Sequence, residues 1–445
     1  MNSQAKMTPY PEYKATNLPW LPQIPAHWDT LKVKYAFSER SEKGFPNEPL
    51  LAATQTHGVI PKSIYETRTV EAQKDLHLLK LVKVGDFVIS LRSFQGGIEY
   101  AYYQGIISPA YTIMIPNNAH IISDYFKYLA KSKPFVKLLQ TCVTGIREGQ
   151  NIDYNTFKRN SIPIPSVAEQ ELIVRYLDSM TVKINKLIRA KKKQIALKIE
   201  MLNVYLFSEN ASCISLGYWD NSFPNSWHKE KASKIFQERN SKGFVDKDLL
   251  AVTQTRGVLF KKDCPQHFVQ PSDFTKQKLV CPQDFIISLR SFQGGIETSF
   301  LEGLVSAAYS VFCLRTSSLL LTTYFQYLFK TPVFVAYLNT LVKDIRDGKK
   351  ISFTDFRESL LPIPPQEHLE KIKSLSDEIN ILKKQLEKTT ILLNEYKKSL
   401  IASVVTGQMD VRNIQVEDFD PTDLISEPDD DPAEDDDQPQ EESEE

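Results

Sequence analysis

The sequence predicts an α+β protein in which two similar domains of mixed helix and strand alternate with two long helices. Three observations predict this class: an internal repeat, short β-rich runs with glycine turns inside each copy, and heptad spacing after each copy. The 445 residues are enough for two or three domains. No run approaches the roughly 18 consecutive apolar residues that a membrane span needs.

The internal repeat covers most of the chain. The same eleven residues, ISLRSFQGGIE, occur at Ile89–Glu99 and at Ile287–Glu297. The offset between equivalent positions is 198 or 199 throughout, which indicates a tandem duplication of one unit. Further matching pairs are Leu50–Ile60 with Leu249–Leu259, Tyr125–Leu129 with Tyr324–Leu328, and Ile162–Pro165 with Leu361–Pro364.

A long helix is predicted after each copy, beginning at a proline-rich step where Ser166 and Glu169 fit a capping box. Apolar residues then recur at alternating steps of three and four, as in a coiled-coil seam. We predict that the two helices pair as an antiparallel coiled coil, giving the repeat an approximate two-fold relation. The alternative is that each helix packs separately on its own domain. The heptad positions are Ile173, Leu177, Met180, Ile184 and Leu187 in the first copy, and Ile379, Leu382, Leu386, Thr389, Leu393, Tyr396, Leu400 and Ser403 in the second, where Thr389 interrupts the apolar seam.

These patterns predict five segments. A first domain occupies residues 1–165 and a first long helix residues 166–208. A second domain occupies residues 209–364 and a second long helix residues 365–412. A disordered acidic tail is predicted at residues 413–445, because its composition is dense in like charge and poor in apolar residues.

The charge is distributed unevenly along the chain. Residues 417–445 contain 16 acidic residues and no Lys or Arg, whereas the whole chain has 54 basic against 55 acidic residues. Residues 1–416 therefore carry a net charge of about +15, which indicates a polyanionic partner. A basic surface that serves only solubility is the alternative. The tail is either a solubilising appendage or a competitor with DNA for the basic part.

The sequence shows no catalytic or metal-binding pattern. It lacks the GxxxxGK[ST] and GxGxxG phosphate motifs and the HExxH zinc motif. Its seven histidines are scattered, and its five cysteines show no CxxC spacing. We therefore expect no catalytic residue, no metal and no cofactor in this chain, and a reducing cytoplasm as its compartment.

The duplicated polar motifs are candidates for reading DNA. Arg and Gln can each form bidentate hydrogen bonds with base edges, and glycine lets a backbone approach a phosphate closely. The alternatives are structural: Arg92 pairs with Glu99, and the TQT segments are merely exposed strand edges. Lys191, Lys192 and Lys193 are interpreted as a solvated helix face. The predicted DNA-binding residues are Thr54, Gln55, Thr56, Arg92, Ser93, Gln95, Gly96 and Arg147 in the first copy, and Thr253, Gln254, Thr255, Arg256, Arg290, Ser291, Gln293, Gly294 and Arg346 in the second.

From about Leu18 to Arg412, the chain resembles the DNA-specificity subunit of type I restriction–modification enzymes. Four segments carry the resemblance: Trp20–Phe37, Gly85–Glu99, Pro163–Asp178 and Tyr396–Arg412. The resemblance implies two target-recognition domains that each read half of a split DNA sequence. It also implies that the helices measure the gap and dock two methyltransferase subunits, which restriction subunits join. S-adenosylmethionine, ATP and Mg²⁺ are then expected on those partners.

The two copies depart from the family in being so alike, since its members generally carry two dissimilar recognition domains. We therefore predict identical or nearly identical half-sites, and so an interrupted palindrome. Gln366-Glu367-His368 makes the start of the second helix less typical than Ala168-Glu169-Gln170. Two further hypotheses remain open. One is a DNA-binding regulator without enzyme partners; the other is a nuclease or methyltransferase, which would need a methyl-donor pocket or an acidic metal cluster.

Overall fold

The computed structural model describes residues 8–55, 57–65, 75–91, 93–116, 120–145, 151–207, 227–254, 256–264, 273–289, 291–345 and 348–424. The chain forms two compact units. Unit 1 comprises Met1–Arg189 and Lys388–Ser426, and unit 2 comprises Ala190–Glu387 and Glu427–Glu445. Both boundaries fall inside long helices, so each unit contains a piece of both helices.

Unit 1 begins with short strands and ends in the first long helix. Its strands are β1 (Tyr13–Leu18), β2 (Leu21–Pro25), β3 (Asp29–Lys32), β4 (Phe37–Arg40), β5 (Leu51–Thr54), β6 (Gly58–Pro61), β7 (Lys80–Val82), β8 (Phe87–Ile89), β9 (Glu99–Tyr100), β10 (Gly105–Ile107), β11 (Thr112–Pro116), β12 (Val143–Thr144), β13 (Asn151–Ile152) and β14 (Ser161–Ile164). Its helices are α1 (Val33–Ala36), α2 (Lys62–Tyr65), α3 (Ser93–Gly96), α4 (Ser123–Lys131), α5 (Lys133–Thr141) and α6 (Tyr154–Phe157), followed by α7 (Val167–Phe207), which continues into unit 2.

The centre of unit 1 is an antiparallel four-stranded sheet in the order β4-β11-β8-β9. Met114 on β11 lies between Glu39 on β4 and Phe87 on β8. Separate antiparallel pairs are formed by β5 with β6, by β7 with β10 and by β3 with β14. The β5–β6 hairpin and the β8–α3–β9 segment carry the two candidate recognition motifs.

Unit 2 repeats this arrangement. Its strands are β15 (His228–Lys231), β16 (Phe236–Arg239), β17 (Leu250–Thr253), β18 (Gly257–Phe260), β19 (Lys278–Val280), β20 (Phe285–Ile287), β21 (Glu297–Thr298), β22 (Gly303–Val305), β23 (Ser310–Leu314), β24 (Lys343–Ile345), β25 (Gly348–Lys350) and β26 (Leu360–Ile363). Its helices are α8 (Ala232–Ile235), α9 (Ser291–Gly294), α10 (Leu319–Leu328), α11 (Pro332–Thr340) and α12 (Phe353–Phe356), followed by α13 (Gln366–Val405), which continues into unit 1. The central sheet has the order β16-β23-β20-β21, which matches β4-β11-β8-β9 strand for strand.

Aromatic side chains fill the main core of each unit. In unit 1, the buried rings of Phe37, Phe87 and Phe126 pack together between the sheet and α4. In unit 2, Phe236 and Phe285 occupy the equivalent places beside Phe325. Burial of a side chain of this size contributes about 1.5–3 kcal/mol of transfer free energy, so these rings fix the sheet against its helices.

The two long helices run antiparallel within each unit. In unit 1, Glu169 at the start of α7 lies near Arg412, just beyond α13, and Asp178 lies near Lys397 inside α13. In unit 2, the Lys198 Nζ lies 2.7 Å from the Glu378 carboxylate. Tyr205 lies further along α7 and near Lys371, which is earlier in α13. The predicted fold class, with mixed domains and paired antiparallel long helices, is confirmed.

Burial along the heptad positions is uneven. Ile173 and Leu177 are fully buried in unit 1, and Ile379 is fully buried in unit 2. In contrast, Leu187 is 45% exposed and Tyr396 is 43% exposed. Some heptad positions are therefore covered by the mixed domains, and others are open.

The chain leaves α13 at Val405 and turns sharply at Gly407, whose φ is +74°. A Cβ at Gly407 would lie 2.3 Å from the Pro25 Cδ, so only glycine fits this turn. The helix therefore ends before residue 412, the predicted boundary.

Residues 413–424, predicted as the start of a disordered tail, form a non-helical segment with a 3₁₀ turn at Pro421–Leu424. Residues 425–445 lie outside the described residues.

Among the described residues, no helix combines the length and the apolar character required to cross a membrane.

Candidate nucleic-acid interface

The first candidate segment is the turn between β5 and β6. The Thr54 hydroxyl donates to the Gly58 carbonyl oxygen at 3.0 Å and accepts from the His57 amide at 3.0 Å. In unit 2, Thr253 makes the same two bonds, to the Gly257 carbonyl oxygen at 2.8 Å and from the Arg256 amide at 3.1 Å. The two threonine hydroxyls therefore hold the turns, and Gln55 and Gln254, which follow them, are exposed.

The second candidate segment is the short helix α3 and its copy α9. The buried Ser93 hydroxyl accepts from the Ser90 amide at 2.8 Å, and the Ser291 hydroxyl accepts from the Ser288 amide at the same distance. These serines therefore hold the turn from the inside. Gln95, two residues later, is exposed to solvent.

The fold brings the two candidate segments together in each unit. A Cβ at Gly96 would lie 2.9 Å from the Gln55 Cδ, and a Cβ at Gly294 would lie 2.8 Å from the Gln254 Cδ. The missing side chain of each glycine therefore makes room for a glutamine of the neighbouring hairpin. Sequence reasoning had assigned that room to a DNA phosphate.

A lysine that the sequence analysis did not single out joins the two segments. The Lys131 Nζ donates to the backbone oxygens of Gln55 and Gly96, both at 3.2 Å. It also lies 2.6 Å from the Glu99 carboxylate. Its position was detectable in the sequence, because Lys131 lies directly beyond one of the matching repeat segments and has an identical equivalent in the second copy.

Unit 2 repeats this lysine contact group by group. The Lys330 Nζ donates to the Gln254 backbone oxygen at 3.4 Å and to the Gly294 backbone oxygen at 2.9 Å. It also forms an ion pair with the Glu297 carboxylate. Three carbonyl or carboxylate partners thus hold one ammonium group in each copy, which fixes the hairpin against the short helix.

Burial changes the acidity of the carboxyl group in unit 1. Glu99 is only 1% exposed, and desolvation raises its pKa to about 7, although the nearby Lys131 acts in the opposite direction. The sequence analysis considered Arg92 as the internal partner of Glu99. Among the described residues the ion-pair partner of Glu99 is Lys131, and Arg92 lies outside them.

We use the name turn cluster for the exposed or half-buried polar groups around each lysine: Gln55, His57, Gln95 and Lys131 in unit 1, and Gln254, Arg256, Gln293 and Lys330 in unit 2. Amide and cationic groups can bond both base edges and phosphates. Of the predicted DNA-binding residues, Thr56, Arg92, Arg147, Thr255, Arg290 and Arg346 lie outside the described residues.

A buried ion pair supports the strand that leads into each short helix. The Arg40 Nε lies 2.9 Å from the Asp86 carboxylate, which also accepts from the Lys83 amide at 2.8 Å. In unit 2, the Arg239 Nε lies 2.7 Å from the Asp284 carboxylate. The duplicated Asp-Phe sequence thus has a structural role, in which Asp anchors the strand and Phe enters the core.

The start of α7 shows only half of the predicted capping box. The Ser166 hydroxyl accepts from the Glu169 amide at 3.3 Å. The Glu169 side chain instead accepts from the Tyr10 hydroxyl at 2.7 Å and from the Trp28 Nε1 at 3.0 Å. In the second copy, His368 replaces Glu169 and contacts Trp227 edge to face, with ring centroids 5.8 Å apart. This substitution explains the atypical start of the second helix.

Within the part of the chain that the structure describes, no group of three or more His, Cys, Asp or Glu residues is arranged to hold a metal ion.

Comparison with protein-family models finds a match that covers part of the chain. Residues 37–197 match the model of the type I restriction modification DNA specificity domain. No curated protein sequence matches the chain significantly. The matched region includes β4 to the first part of α7, and therefore the complete unit 1 turn cluster.

One solved structure has a similar fold, and two further matches have lower TM-scores. A chain from the structure described as "Structural basis underlying complex assembly and conformational transition of the type I R-M system" is 13% identical. It has a TM-score of 0.53, and the match covers 86% of this chain and 98% of that chain. The HsdS subunit from Thermoanaerobacter tengcongensis is 13% identical, with a TM-score of 0.40 and coverage of 86% and 98%. The type I restriction–modification S subunit from M. genitalium is 13% identical, with a TM-score of 0.35 and coverage of 89% and 99%.

Proposed function

We propose that this chain is a type I restriction–modification DNA specificity protein that reads a bipartite DNA target for a methylation–restriction complex, since residues 37–197 match the model of that specificity domain. One observation carries the proposal beyond the family: both units present the same turn cluster, built on the same lysine contact. Each unit would then read one half of the target.

The chemistry of the turn cluster supports base reading. Gln95 and Gln293 are exposed amides at equivalent places, and an amide can bond the N6 and N7 of adenine together. Lys131 is held by three oxygen partners, so the residues around it are fixed in advance. A group fixed before binding loses less conformational freedom when it meets a base.

The equivalence of the two clusters supports a near-palindromic target. Gln55, Gln95 and Lys131 have identical counterparts in Gln254, Gln293 and Lys330. His57 is replaced by Arg256, which can form two parallel bonds to guanine or pair with a phosphate. The half-sites are therefore the same or differ by a base or two.

We assign the chemistry of the complex to partner subunits. This chain would supply specificity, two methyltransferase subunits would dock on it, and restriction subunits would join them. S-adenosylmethionine, ATP and Mg²⁺ would bind those partners. Exposed apolar residues along the long helices, among them Leu197, Met201 and Ile391, offer contact area for docking.

Methylation mapping tests the proposal. Methylated adenines are mapped in the host genome with and without this gene. The expected result is an interrupted palindrome that is methylated only when this chain is present. Two unrelated half-sites would contradict the near-palindrome, and unchanged methylation would contradict the specificity function. A chain that binds one DNA sequence tightly and purifies without a methyltransferase would favour the regulator alternative.

A further inference from the structure

The segment that follows α13 lies along α7 and forms a row of ion pairs with it. The Arg175 guanidinium lies 2.7 Å from the Asp418 carboxylate, and the Lys183 Nζ lies 3.0 Å from the Glu417 carboxylate. Asp423 accepts from two cations at once, Lys186 at 3.0 Å and Arg189 at 2.9 Å. All of these residues belong to unit 1.

The four cations form a basic strip, which we define as Arg175, Lys183, Lys186 and Arg189. Their spacing along α7 places them on one side of the helix, given 3.6 residues per turn. The strip is about 21 Å long at 1.5 Å per residue, which is the axial length of about six base pairs. A strip with this spacing and charge fits the phosphates of a nucleic-acid backbone.

The acidic segment is anchored at its start and weakly held beyond it. Ile414 and Val416 pack against the core of unit 1, so the acidic residues that follow stay close to the strip. The carboxylates of Asp418 and Glu417 are 96% and 73% exposed. Exposed ion pairs contribute little to stability, so a stronger polyanion can displace this segment without unfolding the unit.

The electrostatic evidence is strongest at Asp423. Its hydrogen bond with Lys186 is the main reason that its pKa lies below the ordinary value, and Arg189 lowers it further. The Asn185 side-chain amide also donates to the Asp423 backbone oxygen at 3.3 Å. Beyond Leu424 the sequence contains 12 more acidic residues and no basic one.

We propose that the basic strip is a binding surface for the phosphates of duplex DNA, and that the acidic segment 417–424 covers it until DNA displaces the segment. The inference rests on the proposed function, because it requires that this chain binds DNA. It adds a DNA contact outside the turn clusters, and it gives the acidic segment a function. The segment is then an intramolecular competitor that weakens binding to all DNA sequences alike.

The test compares the full chain with a chain that ends at Val416, which keeps the apolar anchor and removes every acidic residue beyond it. Binding to a 40-base-pair duplex of unrelated sequence is measured by fluorescence anisotropy from 50 to 300 mM salt. We expect the shortened chain to bind about tenfold more tightly at low salt. Its slope of log affinity against log salt should be steeper by about two to four, since each additional phosphate contact adds about 0.9.

Two variants separate the strip from general charge effects. Lys183→Gln, Lys186→Gln and Arg189→Gln together should abolish the gain in the shortened chain and change little in the full chain. The matched control removes the same number of charges from α13, as Lys383→Gln, Lys384→Gln and Lys388→Gln, and should keep the gain. A synthetic peptide of residues 417–445, added to the shortened chain, should weaken its DNA binding again.

The outcomes separate this inference from the proposed function. Equal DNA binding by the full and shortened chains would overturn the inference and leave the proposed function standing. The same holds if shortening changes only the binding of a methyltransferase subunit, because the strip would then be a protein-docking surface. If neither chain directs methylation to a mapped target when it is produced with a methyltransferase subunit, the proposed function fails as well.

Discussion

The Lys131 ammonium group lies 2.6 Å from the carboxylate of Glu99, which is almost completely buried. Both residues have identical equivalents, Lys330 and Glu297, which form the same ion pair. Each lysine also bonds the backbone of the two candidate recognition segments. The ion pair therefore affects both the stability of a unit and the shape of its turn cluster.

Stability should depend on pH through Glu99. Its pKa is raised to about 7 in the folded chain, from an ordinary value of 4.5. Between these two pH values the folded state holds a proton that the unfolded state has lost, so the free energy of unfolding falls as pH rises. The contribution is fully present below pH 4.5 and is lost once pH passes about 7. Urea unfolding measured at pH 5, 6, 7 and 8 checks this, and Glu99→Gln should flatten that part of the profile. An unchanged profile in the variant would contradict the assignment.

Lys131→Met should destabilise unit 1 and loosen its turn cluster. The substitution removes the cation from a buried carboxyl group and two backbone oxygens, which should cost about 1–3 kcal/mol. The cost should be larger at pH 8 than at pH 6, because Glu99 can take up a proton at the lower pH. Denaturant unfolding and binding to the mapped target measure the two effects.

The neighbouring exposed residue provides the control for that substitution, since Lys133→Met makes the same change in charge and shape. It should leave the free energy of unfolding within about 0.5 kcal/mol of the original. Adding Glu99→Gln to Lys131→Met should recover part of the lost stability, because no buried charge then lacks a partner. Equal losses in Lys131→Met and Lys133→Met would exclude the proposed role of Lys131.

The adjacent glycines of α3 should respond differently to alanine. A Cβ at Gly97 would lie 2.2 Å from the Ala130 backbone oxygen, and the φ of Gly97 is +91°. We expect Gly97→Ala to cost about 3 kcal/mol, from strain and overpacking together. At Gly96 the Cβ meets only the flexible Gln55 side chain, so Gly96→Ala should cost less than about 1 kcal/mol and displace Gln55.

Thermal unfolding and methylation mapping distinguish the two glycine variants. Gly97→Ala should lower the midpoint temperature of unfolding. Gly96→Ala should leave that temperature nearly unchanged but alter the DNA sequence of the methylated half-site. Gly44→Ala is the control for backbone strain alone, since its φ is +93° and a Cβ there would meet no atom within 4 Å. A Gly97→Ala variant no less stable than Gly44→Ala would contradict the close contact.

The length of the paired helices should set the gap between half-sites. At about 60 Å for 40 residues, the helices allow half-site centres at most roughly 18 base pairs apart. Inserting one heptad after Arg189 and another after Glu387, the points where the helices pass between units, lengthens each helix by about 10 Å. We expect the recognised gap to grow by about three base pairs.

Methylation mapping of the heptad variant measures the new gap. The matched control inserts the same seven residues into α7 alone, which puts the two helices out of register and should abolish site-specific methylation. An unchanged gap in the double insertion would mean that the helices do not measure the spacing.

The acidity of Glu99 and the contacts of Lys131 were beyond sequence reasoning for a physical reason. A repeat shows which positions are equivalent in two copies, but it does not show which positions touch. Lys131 meets Glu99 across 32 residues and Gln55 across 76 residues. Such contacts depend on how α4 packs against the sheet, which local periodicity does not encode. The same reason explains why the contact between Gly96 and Gln55 was not predicted.

The sequence by itself determined the duplication, the mixed domains, the two long helices and the basic and acidic division of charge. These follow from the composition, the offset between repeat copies and the heptad spacing, all of which can be read along the linear sequence. Only the tertiary structure decided that Gln55 packs on Gly96, that Glu169 leaves its capping box for Tyr10 and Trp28, and that Asp423 pairs with Lys186 and Arg189. In each case, residues that are far apart in the sequence could contact the same partner. The packing of the folded chain determines which of them does so.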